Sequence, residues 1–115
     1  MAPAGEPYIN AMVGGQLTGG STSVKDAYDK LRVAGAQART VLVQAAANQW
    51  KVDAAACKAQ DAWVTGPGGQ KASYGQLAEA ASKLTPPKEP KLKAAKDFRY
   101  VGKRITRLDT PAKVD

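Results

Sequence analysis

One short run of the sequence combines residue types that could bind an anion. Two adjacent glycines allow positive φ and close approach of a ligand to the backbone, and the hydroxyl side chains beside them can donate hydrogen bonds. A helix that begins here would direct unpaired N–H groups and the positive end of its dipole at the run. The run consists of Thr18, Gly19, Gly20, Ser21, Thr22 and Ser23.

The spacing of this run fits neither of the common phosphate-binding motifs. No Gly-Lys-Ser/Thr follows, as a Walker loop requires, and no third glycine stands where a dinucleotide fingerprint needs one. Two interpretations therefore remain open from the residues alone. The run is either a capped helix start behind a flexible glycine hinge or an anion-binding loop.

Other classes of chemistry are disfavoured by composition. The chain has no histidine, and Cys57 is its only cysteine, so zinc, haem and serine-type triad chemistry have few of their usual groups. Without a partner cysteine, Cys57 is expected to be a small buried apolar residue. No apolar run approaches the ~20 residues of a membrane span, and the first residues lack the layout of a signal peptide.

A long helix is predicted directly after the hydroxyl residues, from Val24 to about Gln49. Ser21, Thr22 and Ser23 are all good N-cap residues, and a carboxylate at Asp26 suits the first turn. Gly35 lowers helix propensity by up to ~1 kcal/mol relative to alanine, so we expect close packing against it. The apolar positions keep helical i, i+3, i+4, i+7 spacing: Val24, Ala27, Tyr28, Leu31, Ala34, Ala38, Val41, Leu42 and Ala45.

A small β-hairpin is predicted after this helix. Asp53 is expected to cap a short helical turn, and a strand should run from about Lys58 to Val64. Residues 65–70 contain the glycines and proline of a turn, and residues 70–72 could return as a second strand.

A second, shorter helix is predicted after the hairpin. Ser73 and Gln76 have the spacing of a capping box, in which serine is the N-cap residue and glutamine lies three positions later. The apolar pattern continues to Leu84, and Pro86 and Pro87 end the helix. The expected fold class is α+β and helix-dominated: one long helix, a small hairpin, one shorter helix and an extended basic tail.

Large apolar residues are scarce for a chain of 115 residues. Alanine accounts for 22 residues, whereas Val, Ile, Leu and Phe together account for 19. Alanine faces contribute little burial per residue, so the core is expected to be lean. Trp50 and Trp63 are expected to anchor a satellite of that core, and a ligand-stacking role is the alternative.

The net charge of +7 is concentrated in the last part of the chain. Residues 85–115 contain nine basic and four acidic residues, compared with eight and six in residues 1–84. A nucleic-acid-binding protein usually interleaves aromatic residues with a basic stripe on a folded element, so nucleic acid is not an expected partner. The tail lysines are expected to be solvated. The alternative is a stand-alone basic interaction module whose residues 85–115 dock on an acidic partner.

Several longer strings in the chain resemble one enzyme family over nearly its whole length. They are Pro7–Asn10, Gly15–Val24, Ser73–Gly75, Phe98–Arg99 and Arg107–Val114. The chain is identified by these strings as similar to the large molybdenum-cofactor-binding subunit of the xanthine dehydrogenase and aldehyde oxidase superfamily. More narrowly, it resembles the isoquinoline 1-oxidoreductase beta-subunit branch.

The resemblance implies both an activity and a place in a larger subunit. The family hydroxylates aldehydes or N-heterocycles at a molybdenum centre, with electrons leaving through an iron–sulfur subunit. Residues 1–84 would be a piece of the molybdopterin-binding domain, and residues 85–115 a Pro/Lys-rich linker towards a hammerhead-like domain. Residues 18–23 would line the site of the molybdopterin dinucleotide and contact its phosphates.

The same resemblance implies that the chain depends on partners. The family's catalytic glutamate and its other cofactor loops have no counterpart here, so the chain alone is expected to be inactive, with no catalytic or metal-binding residue of its own. Its expected partners are the rest of the large subunit and the iron–sulfur subunit. Alone, it could self-associate through the alanine face of the long helix. Relatives in this branch are often exported, so the resemblance is compatible with the periplasm, while the residues themselves indicate no compartment.

Overall fold

The computed structural model describes residues 3–114 and confirms the helix-dominated α+β class. The long helix, α1, extends one residue beyond the predicted range at each end. The elements are α1 (Ser23–Trp50), β1 (Lys58–Gln60), β2 (Trp63–Thr65), β3 (Lys71–Ser73) and α2 (Tyr74–Ser82), with single 3₁₀ turns at Glu6–Tyr8, Ala54–Ala56 and Ala95–Asp97. No helix within residues 3–114 is both long and apolar enough to cross a membrane.

The sheet has three antiparallel strands in the order β1-β2-β3 rather than the two of the predicted hairpin. The prediction of one strand over 58–64 was wrong, because Asp61 and Ala62 form a tight turn in its middle. Both have positive φ, 51° and 64°. This is the left-handed conformation that a two-residue hairpin turn needs, and it usually selects Asn-Gly or Asp-Gly. The turn predicted at 65–70 is confirmed as the connection between β2 and β3.

The register of the sheet decides which side chains enter the core. Val64 pairs with Ala59 on one side and with Ala72 on the other. Because side chains alternate along a strand, these three residues share the face that packs against the helices. Val64 is fully buried.

The start of α2 confirms the predicted capping box. Ser73 Oγ accepts a hydrogen bond from Gln76 N at 3.2 Å, and Gln76 Oε1 accepts one from Ser73 N at 2.8 Å. The cap fixes the chain where β3 turns directly into α2. This turn directs Leu77 and Ala81 into the interior.

The core lies between the C-terminal part of α1, the sheet and α2. Its buried members are mostly small, so the elements approach one another closely. Leu77 and Val64 are its largest fully buried side chains, and Cys57 is buried as predicted. The cluster comprises Ala46, Ala47, Cys57, Val64, Ala72 and Leu77.

The two tryptophans have different environments. Trp50 is half-buried against the core, as predicted, and lies so close to Gly66 that a Cβ there would be 3.0 Å from the Trp50 ring. The prediction for Trp63 was wrong, since its side chain is 40% exposed. Strand alternation that directs Val64 inward directs Trp63 outward, where Lys71 Nζ lies 4.4 Å from the ring centroid.

Candidate functional site

Residues 18–23 form a turn at the N-terminal end of α1. Gly20 and Ser21 both have left-handed backbone conformations, with φ of 59° and 56°. Thr22 N donates to Gly19 O at 3.3 Å and closes the turn. A β-branched residue would resist the conformation of Gly20, so this glycine is needed for the path of the chain into the helix.

The hydroxyl residues before α1 do not cap it with a side-chain hydrogen bond. Thr22 occupies the N-cap position, but its hydroxyl donates to Gly19 O at 3.1 Å instead of accepting from the helix. Consequently, the N–H groups of Ser23, Val24 and Lys25 have no hydrogen-bond acceptor among residues 3–114. These three donors lie at the positive end of the helix dipole.

Asn10 ties the glycine-rich residues before α1 to the helix start. We call residues 3–22 the lead-in. The Asn10 side chain is 4% exposed overall; its Nδ2 donates to Thr22 Oγ1 at 2.7 Å and its Oδ1 accepts from Met12 N at 3.0 Å. Asn10 N also donates to Gly15 O at 3.0 Å, which closes a small loop of the lead-in. A buried amide with its groups paired fixes the orientation of the lead-in.

Asp26 and Lys30 hold the same segment from the first turns of α1. Asp26 Oδ1 accepts from Ala11 N at 3.0 Å, and its Oδ2 pairs with Lys30 Nζ at 2.7 Å. Lys30 Nζ also donates to Ile9 O at 2.8 Å. The hydrogen bond from Lys30, assisted by that from Ala11, holds the pKa of Asp26 below its ordinary value. The charge of Asp26, the acidic residue in the first turn of α1, is thus partly neutralised.

A groove of about 680 Å³ lies beside this turn. Of the six predicted site residues, Thr18 and Ser23 line it, while Gly20 and Ser21 lie on the exposed turn next to it. Apolar and charged side chains of the lead-in and α1 complete its walls: Tyr8, Leu17, Leu31, Asp26 and Lys30. Of the three residues with unpaired N–H groups, only Ser23 lines the groove.

Sequence reasoning did not identify the polar residues that shape the site. The spacing of Asp26 and Lys30, four residues apart on a predicted helix, is a recognisable signal for an ion pair. The contact of Asn10 with Thr22 has no such signal, because it joins residues 12 positions apart through an irregular loop.

A second polar network joins the tail, residues 85–114, to α1. Arg32 donates to Lys93 O at 2.9 Å, Arg39 to Lys91 O at 3.1 Å and Gln37 to Pro87 O at 2.9 Å. These hydrogen bonds use backbone carbonyls of the tail. The tail lysine side chains are exposed, as predicted: Lys88, Lys91, Lys93, Lys96 and Lys103.

Two further contacts fix the middle of the tail. The Arg32 guanidinium lies between two rings, 5.1 Å from the Tyr28 centroid and 5.2 Å from that of Phe98. Arg99 pairs with Asp61 at 3.0 Å, and this hydrogen bond keeps the pKa of the Asp61 carboxyl below its ordinary value. Around these contacts, a groove of about 550 Å³ remains between α1, the β1–β2 turn and the tail.

The described residues offer donors for an anion rather than ligands for a metal. Among residues 3–114, no group of three or more His, Cys, Asp or Glu side chains is placed to hold a metal ion. Comparisons with protein-family models, with curated proteins and with solved structures found no match for this chain.

Proposed function

We propose that this chain is the segment of a molybdenum hydroxylase subunit that binds the phosphates of the molybdopterin dinucleotide. The observation that carries the proposal is the glycine and hydroxyl run placed directly before a 28-residue helix whose first N–H groups are unpaired within residues 3–114. When bound in the parent enzyme, the cofactor would supply the molybdenum centre that transfers a water-derived oxygen to the substrate carbon.

The residues present fit the phosphate end of that cofactor. The N–H groups of Ser23, Val24 and Lys25 can donate to phosphate oxygens, and the hydroxyls of Ser21 and Ser23 are exposed beside them. Gly20 adds no side chain that would cover the approach. Lys30, about two turns further along the helix, compensates the charge of Asp26 near this end of α1.

The exposed apolar surface around the turn supports a place inside a larger assembly. Met12, Val13 and Leu17 of the lead-in are 55%, 47% and 58% exposed, and Val24 is 83% exposed. A concentration of large exposed apolar residues around polar donors is typical of a surface that contacts further protein or a ligand. The rest of the large subunit would cover it.

A titration of the 115-residue chain with a nucleoside diphosphate tests the proposal. We expect amide chemical-shift changes at Ser23, Val24 and Lys25, and much smaller changes with the same nucleoside lacking phosphates. A Gly20→Val variant should weaken binding by about tenfold, because valine resists a φ of 59°.

Gly102 provides a matched control for that variant. It also has a positive φ, 76°, and a Cβ there would meet nothing within 4 Å. Gly102→Val should therefore leave nucleotide binding unchanged. Shift changes confined to the tail lysines, or equal weakening by both variants, would contradict a phosphate site at residues 18–23.

A further inference from the structure

An apolar stripe on the N-terminal part of α1 is only partly covered by the rest of residues 3–114. Val24, Tyr28 and Leu31 are 83%, 42% and 69% exposed, and Gly35 and Ala38 continue the line and are exposed too. We call these five residues the N-terminal stripe. Their spacing alternates between four and three residues, which is the spacing by which one helix packs along another.

The stripe has a surface suited to close approach of a second helix. A Cβ on Gly35 would meet nothing within 4 Å, so the space above the middle of the stripe is open. Leu31 lines both the groove beside the 18–23 turn and the groove beside the tail. The stripe therefore lies between the two grooves and contributes to the walls of both.

One flank of the stripe carries only basic residues. Lys25, Arg32 and Arg39 recur at intervals of seven residues, one position after Val24, Leu31 and Ala38. Arg32 and Arg39 are half-buried and bond to neutral carbonyls of the tail, and Arg32 also lies between the Tyr28 and Phe98 rings. None of these contacts supplies a negative charge to either guanidinium. The opposite flank is uncharged and consists of Ala27, Ala34 and Val41.

This charge pattern selects the partner. A second copy of α1 packed antiparallel would bring one basic flank against the other, and a parallel copy would bring it against the uncharged flank. Neither arrangement offers a carboxylate to the arginines. A helix with a row of apolar residues can pack on the stripe. If Glu or Asp lies beside that row, its carboxylates can pair with the basic flank.

We propose that the N-terminal stripe docks an amphipathic helix whose apolar seam is flanked by carboxylates. The apolar seam would cover Val24, Tyr28 and Leu31 and approach the backbone at Gly35. The carboxylates would pair with Lys25, Arg32 and Arg39. This inference concerns α1 alone and does not depend on the cofactor proposed for the 18–23 turn.

The test uses the 115-residue chain and two labelled helical peptides. Both peptides have leucine and alanine at the seam positions of three heptads; one has glutamate at the flanking positions and its twin has lysine. Fluorescence anisotropy should show saturable binding of the glutamate peptide, with affinity falling as salt is raised. The lysine twin should bind at least about tenfold more weakly.

Two variants locate the interaction. Leu31→Ser should weaken binding of the glutamate peptide by about tenfold, and Lys25→Glu by about fivefold. Lys51→Glu is the matched control: it changes the net charge equally, but Lys51 lies at the other end of α1, ~39 Å away by helical rise. It should change the affinity by less than about twofold. Circular dichroism would verify that each variant keeps its helix.

Three outcomes would overturn the proposal. One is equal binding of the two peptides, and another is equal weakening by Lys25→Glu and Lys51→Glu. The third is sedimentation of the free chain as a dimer that Leu31→Ser dissociates while the glutamate peptide fails to bind. That third result would assign the stripe to a second copy of the chain.

Discussion

The two halves of α1 have similar apolar spacing but different surroundings. In the C-terminal half, residues 37–50, Ala45, Ala46 and Ala47 are 3%, 0% and 1% exposed beneath the sheet and α2. In the N-terminal half, residues 23–36, Val24 and Leu31 face solvent. The side chains that are buried are thus smaller than those left exposed. An apolar pattern identifies the face of a helix that will be covered, but not the polypeptide that covers it.

The two halves also differ in the kind of contact that they make. The C-terminal half is held by apolar packing against Val64 and Leu77. The N-terminal half is contacted mainly through polar groups: Asp26 and Lys30 hold the lead-in, and Arg32 holds the tail. Exposed polar contacts contribute less to stability than buried apolar ones. We therefore expect mutations in the contacts of the C-terminal half to lower the free energy of unfolding more than mutations in the N-terminal half.

Matched leucine truncations should give the largest difference. Leu77→Ala removes a fully buried side chain and should lower the free energy of unfolding by about 2–5 kcal/mol. Leu31→Ala removes the same atoms from a side chain that is 69% exposed and should cost less than about 0.5 kcal/mol. Urea denaturation of the 115-residue chain measures both. Similar losses would mean that the two halves of α1 are equally integrated into the core.

Matched serine substitutions at the two helix starts should give an intermediate difference. Ser73→Ala breaks the capping box of α2 and should lower the free energy of unfolding by about 1 kcal/mol. Ser23→Ala removes a hydroxyl that makes no capping bond at the start of α1. It should lower the free energy of unfolding by at most a few tenths of a kcal/mol. Thermal unfolding followed by circular dichroism compares them. An equal loss at Ser23 would show that the hydroxyl caps α1 after all.

Acidification should produce the smallest effect on α1, at the contact of Asp26 in its N-terminal half. The folded pKa of Asp26 is lowered from 3.8. The stability that the ionised Asp26 carboxylate contributes is therefore complete at pH values above its ordinary pKa. It is lost as the pH falls through the lower pKa of the folded state. The amide shift of Ala11 should follow this loss in an NMR titration.

Asp26→Asn should remove that transition. Asp29 is a carboxylate three positions away with no ion pair among residues 3–114, so Asp29→Asn should leave the transition in place. An unchanged Ala11 transition in Asp26→Asn would contradict the assignment.

Much of the fold could be predicted from sequence because its signals are local. The range of α1, the capping box at Ser73 and Gln76, and the cap at Asp53 all depend on residues a few positions apart. The turn at Asp61 and Ala62 was missed because it lacks the glycine that normally marks a left-handed turn. The wrong prediction for Trp63 followed from the missed turn, because that turn sets the register of β2.

The candidate site was predicted less completely. The position of residues 18–23 at the start of α1 could be predicted, because glycines and hydroxyls directly precede a strong helical pattern. Their partners could not, since Asn10 reaches Thr22 through an irregular lead-in, and Arg32 reaches Lys93 across 61 residues of chain. Local spacing carries no information about such contacts.

The central claim is that the C-terminal half of α1 packs in the core, whereas the N-terminal half is an exposed surface for binding. Amide hydrogen exchange along α1 tests this most directly. In the 115-residue chain alone, we expect amides of residues 45–50 to exchange at least about tenfold more slowly than those of residues 27–32, because only the former are covered by the core. Uniform protection along the whole helix would contradict the claim.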